Sequence, residues 1–142
     1  MATVLIVEDD PANILVFSKI LTKRASLDVL HTEDAVEVLQ LAESGQIDLI
    51  LMDVSLAHSS YEGKPVDGIA ITRMLKDNEA TASIPVILVT AHAMRGDREN
   101  FLSQSGAEGY ISKPVVDQHA FVSQIQDLLQ ATAAEQGNES IG

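Results

Sequence analysis

Five short apolar runs, separated by stretches with helical spacing, constrain this chain more than any other feature of it. TVLIV (3–7), LDVLH (27–31), IDLILM (47–52), PVILVT (85–90) and EGYIS (108–112) read as strands. Three are nearly continuous in Val, Ile and Leu, the pattern of parallel strands covered on both faces. Between them, apolar residues recur every three or four positions: Ile14, Phe17 and Leu21, then Val36, Leu39 and Ala42, then Ile71, Met74 and Leu75. A more polar fourth segment covers about Arg95 to Ser105, and Phe121, Val122, Ile125, Leu128 and Leu129 form a broad stripe in the fifth. Parallel neighbours need crossover connections, and a sheet buried on both faces needs helices on both sides. The alternation therefore predicts an α/β fold, a (βα)5 doubly wound domain around a five-stranded parallel sheet.

With 142 residues, 46% of them apolar, the chain can bury one core and is read as one domain over 1–130. After Gln130 the sequence ATAAEQGNESIG loses apolar periodicity, which predicts a flexible tail over 131–142. Nine Lys and Arg against 21 Asp and Glu give a formal charge of -12. That field opposes nucleic acid and anionic membrane surfaces, and the basic clusters Lys23-Arg24 and Arg95 to Arg98 are too small and interrupted to reverse it. The chain has no cysteine, so thiolate chemistry and disulfides are excluded. The apolar run Val4 to Val7 is too short for a signal or a spanning segment, and a cytoplasmic protein is expected.

Within this frame the stretch ILMDVS (50–55) poses a problem, because a buried strand ends in Asp53. An unpartnered buried carboxylate carries a desolvation penalty. In doubly wound sheets, ligands gather beyond the carboxyl ends of the strands. Glu8 and Asp9 follow the first strand, Asp53 ends the third, Thr90 ends the fourth and Lys113 follows the fifth, so all converge on one edge. Three converging carboxylates repel unless a cation intervenes, and all-oxygen ligation suits a hard ion, Mg²⁺ best. Plainer readings exist for each residue alone. Glu8-Asp9-Asp10 also suits helix capping, with Asp10 as N-cap before Pro11; Thr90 also suits a strand, and Lys113 a solvated surface.

VLIVEDD, LILMD, PVILVTA and YISKP, in this order and with these separations, resemble the CheY-like receiver domain of two-component response regulators. VTAHAMRGDRE and AEGYISKP bring the chain nearest to the single-domain, cell-cycle (DivK-type) members. The resemblance covers residues 3 to about 130 and implies a flavodoxin-like strand order 2-1-3-4-5. It implies that Asp53 accepts a phosphoryl group from a histidine kinase or histidine phosphotransfer protein. It also implies that Asp9 binds Mg²⁺ directly, that Glu8 holds a metal-bound water, and that Asp53 and the Ser55 backbone carbonyl complete the protein's share of the shell. Thr90 and Lys113 match the phosphoryl-binding hydroxyl and ammonium. Tyr110 matches an aromatic switch, and Ser55 and His92 match positions that tune dephosphorylation. Lys113-Pro114 matches a cis peptide. The downstream protein target is expected on the fourth helix, fifth strand and fifth helix.

Two departures from the family pattern stand out. Ala57 replaces a proline usual four residues after the phosphoacceptor, and the connection LAHSSYEGKPVDG (56–68) is several residues longer than typical. Ser59, Ser60 and Gly63 suggest a mobile loop with Tyr61 as a contact residue, or else a solvated insertion without a role. His31 and His119 lack a paired ligand at metal spacing and read as surface residues. Two alternatives to a receiver acting alone stay open: a receiver fragment of a hybrid histidine kinase, and a Mg²⁺-dependent aspartyl-phosphate phosphatase. The second would want an acid where Ser55 stands. A flavodoxin-like cofactor binder would want a phosphate loop where EDDPAN stands.

Overall fold

The first strand, β1 (Thr3–Val7), shows how one run serves two cores. Side chains alternate across a strand, so Val4 and Ile6 enter one apolar cluster while Leu5 and Val7 enter another. The computed structural model describes residues 2–56, 59–91 and 96–141, with 133–141 by backbone alone. Its sheet adds β2 (Asp28–Thr32), β3 (Leu49–Asp53), β6 (Val86–Thr90) and β7 (Gly109–Ser112) in the order β2-β1-β3-β6-β7, every pair parallel. Two further strands, β4 (Ser60–Tyr61) and β5 (Lys64–Pro65), form a separate antiparallel pair. Counted within the main sheet, the order is the expected 2-1-3-4-5.

The helices are α1 (Pro11–Arg24), α2 (Ala35–Glu43), α3 (Gly68–Asp77), α4 (Asp97–Ser105) and α5 (Gln118–Ile141). Phe17, Ile20 and Leu21 of α1 join Phe121, Val122 and Ile125 of α5 over one sheet face, with the Phe17 and Phe121 rings stacked at 5.6 Å. Ala35, Val38 and Ala42 of α2 and Ile71 and Leu75 of α3 cover the other. Each fully buried aliphatic side chain contributes about 1.5–3 kcal/mol. The stripe of α2 is rotated from the expected one. Ala35, Val38 and Ala42 face the sheet, and Val36, one residue and about 100° away, is 42% exposed. Among the described residues, no helix is long and apolar enough to cross a membrane.

The helical backbone of α5 runs on to Ile141, into the segment expected as a flexible tail, because Ala131, Ala133, Ala134, Glu135 and Gln136 are strong helix formers even without an apolar stripe. The long connection after β3 forms the β4–β5 hairpin, in which Tyr61 pairs with Lys64 across Glu62 and Gly63. Both turn residues have positive φ, 53° and 81°, the mirror-image turn that matches strand twist. Tyr61 packs half-buried against the α2–α3 side of the core. Replacing Gly63 with Ala should therefore cost roughly 1 kcal/mol through the left-handed φ, read as a lower urea midpoint; an unchanged midpoint would mean that the hairpin is not coupled to the fold.

Candidate functional site

The site assembles at the carboxyl edge of the sheet. β1 ends at Val7, so Glu8 and Asp9 leave the sheet there, and the chain turns at once into α1, capped by Asp10, whose Oδ1 accepts from the Ala12 N–H at 2.9 Å. β3 delivers Asp53, 4% exposed, and β6 delivers Thr90, 1% exposed. Lys113 follows β7, where the Thr90 carbonyl accepts its backbone N–H at 2.8 Å, and its peptide to Pro114 is cis. One carboxylate oxygen from each of Glu8, Asp9 and Asp53 lies within 4.8 Å of the others. The Lys113 ammonium reaches Glu8 Oε2 at 3.1 Å and Asp53 Oδ1 at 3.6 Å, with only 12% of its side chain exposed. Glu8 Oε1 accepts the backbone N–H groups of Asp9 and Asp10, each at 3.2 Å, and the Ser55 N–H donates to Asp53 Oδ1 at 3.1 Å. Asp10, Asn13, Ala91, Lys113 and Pro114 line an open depression of ≈ 340 Å³ beside the cluster.

The charge arithmetic is unfavourable. Two like charges about 4 Å apart repel by about 4 kcal/mol at an effective dielectric near 20. One ammonium cannot offset three carboxylates, so the residual charge is relieved by a proton or by a cation. Glu8 records this strain. Burial first, then the shared hydrogen bond with the Asp53 carboxylate and its charge, push the Glu8 carboxyl up to about 7, against the opposing pull of Lys113. A hard cation fits the donor set, which is all oxygen, converging and short of positive charge.

A pH dependence follows. The folded pKa of Glu8 lies above its ordinary 4.5, so the folded state holds a proton that the unfolded chain has released. The stability this gives is complete below about pH 4.5 and is lost as pH rises through about 7. In the presence of chelator, unfolding free energy should fall between pH 5 and 8, by on the order of 2 kcal/mol, and Glu8→Gln should flatten that slope. A stability rising over the same window in urea titrations would contradict the assignment.

The structure thus brings together Glu8, Asp9, Asp53, Thr90 and Lys113, with Ser55 beside them through its backbone. Tyr110 sits apart on β7, half-buried against Phe101 of α4 at 6.2 Å between ring centroids. Its hydroxyl is pushed up by burial and by the nearby Asp97 charge. His31 and His119 are exposed; His92 and Ala57 lie outside the described residues. Sequence reasoning missed a clamp at the opposite end of the sheet. There the Lys76 ammonium donates to the carbonyls of Ala82 and Ile84 and, at 2.6 Å, to Glu108, whose other oxygen accepts the Val86 N–H at 2.7 Å. Partners 32 residues apart left no local signal.

Residues 4–126 match the family described as the response regulator receiver domain. This chain belongs to that family. The receiver is 41% identical over 113 residues to the polar-differentiation response regulator DivK of Brucella ovis, covering 80% of this chain and 85% of that one. The receiver domain of a sensor histidine kinase from Pseudomonas aeruginosa, solved with a magnesium ion coordinated in its active-site cleft, is 32% identical with a TM-score of 0.69, over 92% of this chain and 95% of that one. A CheY-like receiver from Methanospirillum hungatei shares the fold, with a TM-score of 0.75, at 24% identity over 95% of this chain and 98% of that one.

Proposed function

We propose that this receiver accepts a phosphoryl group on Asp53 from a phosphohistidine donor in a Mg²⁺-dependent reaction, and signals through protein contacts that change with phosphorylation. The observation that carries the reading is the Lys113 ammonium held against Glu8 and Asp53 beside a third carboxylate, at one sheet edge. Asp9, Asp53 and the Ser55 carbonyl would hold the ion, with Glu8 contributing through water. When bound, it offsets charge on the phosphoryl oxygens.

The chain's own residues perform the rest. An Asp53 carboxylate oxygen attacks phosphorus as the phosphorus–nitrogen bond of the donor breaks and the imidazole leaves. The Lys113 ammonium and the Thr90 hydroxyl bind phosphoryl oxygens, so that charge developing in the transition state meets fixed donors rather than reorganising water. With Thr90 drawn to the phosphoryl group, Tyr110 turns inward from its place beside Phe101, and phosphate selects the receiver state that it binds better. The surface so altered is α4, β7 and α5, where the downstream target would dock. Ser55 and His92 would flank the attacking water and set the lifetime of the phosphorylated state.

A histidine kinase or histidine phosphotransfer protein is the upstream partner, in the cytoplasm. Incubation with Mg²⁺ and acetyl phosphate or phosphoramidate, followed by intact mass, tests the reading. One added phosphate that disappears with chelator is expected; no addition from any donor would overturn it.

A further inference from the structure

The start of α3 presses on the phosphoacceptor. Gly68, the first residue of that helix, is buried and is not among the glycines with positive φ, so no left-handed backbone explains it. A Cβ built there would lie 2.0 Å from the Asp53 carbonyl oxygen, 2.8 Å from its carbonyl carbon and 2.9 Å from Met52 Cγ. At Gly45, Gly63 and Gly96 a Cβ would meet nothing within 4 Å. The same approach is bonded: the Gly68 N–H donates to the Val54 carbonyl at 3.0 Å, and the Val54 N–H donates to the Val89 carbonyl at 3.0 Å. The residue after Asp53 is thus pinned between β6 and α3, and the excursion carrying the β4–β5 hairpin is closed across its base.

We propose that Gly68 is a positioning residue: its missing side chain lets α3 butt against the Asp53 carbonyl, and this contact fixes the phosphoacceptor at the sheet edge independently of the inserted hairpin. The inference rests on the reading of Asp53 as phosphoacceptor. A β-carbon at residue 68 forces the Asp53 backbone or the helix to move by about 1 Å, because it would lie 2.0 Å from the carbonyl oxygen and real β-carbons do not come within 3.0 Å of a non-bonded heavy atom. A displacement of that size at a reacting group can lower a rate about 100-fold. The hairpin, by contrast, is anchored through Tyr61 on the core and through the Val66 N–H to the Ser59 carbonyl at 3.1 Å, so loosening it leaves Asp53 in place.

Gly68→Ala and Tyr61→Ala are compared in the full chain, at a temperature where circular dichroism shows each folded, by the labelling rate at saturating acetyl phosphate and Mg²⁺. A second readout needs neither reagent: the amide shift of Ser55, whose N–H reports the position of Asp53 Oδ1. Both variants lose stability. Gly68→Ala is expected to lower the labelling rate at least tenfold and to move the Ser55 amide, whereas Tyr61→Ala stays within about twofold of wild type and leaves that amide unmoved. Wild-type labelling by folded Gly68→Ala overturns the proposal. So does an equal loss in Tyr61→Ala, which remains decisive if Gly68→Ala does not fold. An unlabelled wild type instead removes the phosphoacceptor reading, while the Ser55 shifts still report the positioning.

Discussion

Asp53→Asn is expected to abolish labelling while making the metal-free domain more stable. The amide keeps the shape and the Oδ1 acceptor for the Ser55 N–H but has no anionic oxygen to attack phosphorus. For stability, the charge of a group only 4% exposed disappears, together with its repulsion of Glu8 and Asp9. The loss on the other side is the weaker of the two Lys113 contacts, at 3.6 Å, while the 3.1 Å pair with Glu8 survives. Removed desolvation and removed repulsion outweigh one partly screened attraction, and the net gain should be about 1 kcal/mol. The Glu8 carboxyl should fall back towards its ordinary range without reaching it, because burial, its largest cause, remains. Urea unfolding at pH 8 in chelator measures the gain. A variant less stable than wild type would mean that Asp53 is held by attraction rather than tolerated against repulsion.

Asp9→Ala and Lys113→Ala should separate metal binding from phosphoryl binding. Removing Asp9 deletes an anionic oxygen from the cluster, so Mg²⁺ affinity should fall at least tenfold and labelling with it. Removing Lys113 deletes the one cation among the described residues that competes for Glu8 and Asp53. Mg²⁺ affinity is then retained or increased, yet labelling at saturating Mg²⁺ should still drop at least tenfold, since no ammonium meets the phosphoryl oxygens. Lys113→Ala should also destabilise the metal-free domain by roughly 2 kcal/mol at pH 8, less than the full cost of breaking a buried pair because the site opens to water on one side. The loss shrinks at pH 5, where Glu8 is protonated. Parallel Mg²⁺ titrations followed by NMR decide the matter; equal affinities for wild type and Asp9→Ala would remove Asp9 from the ligand set.

How much of this was readable in the chain depends on the range of the interaction involved. The nearly continuous apolar runs of TVLIV and LILMD are a local pattern, and they located the strands to within a residue or two. Topology then carried Glu8, Asp9, Asp53, Thr90 and Lys113 to one edge without any distance being known. The hairpin escaped because strands of two residues have no period to detect, and because its turn places Glu62, not a glycine, at a φ of 53°. The α2 face was misjudged at Val36 because one residue of offset is about 100° of rotation and only the sheet decides which stripe it buries. Gly68 escaped for another reason. What requires a glycine there is the Asp53 carbonyl pressing from a neighbouring strand, not the residue's own backbone angles. The Glu8 carboxylate was expected at the acidic cluster; that it also accepts two backbone N–H groups and pairs with Lys113 depends on rotamers that no sequence pattern encodes.

The central claim is that the carboxylate ending β3 becomes an acyl phosphate. Borohydride reduction of the labelled protein converts an aspartyl phosphate to homoserine, which peptide mapping locates. Homoserine at position 53 in wild type, and at no position in Asp53→Asn, is the expected result. Homoserine at another aspartate, or a stable phosphate on a hydroxyl or imidazole with residue 53 unreduced, would contradict it.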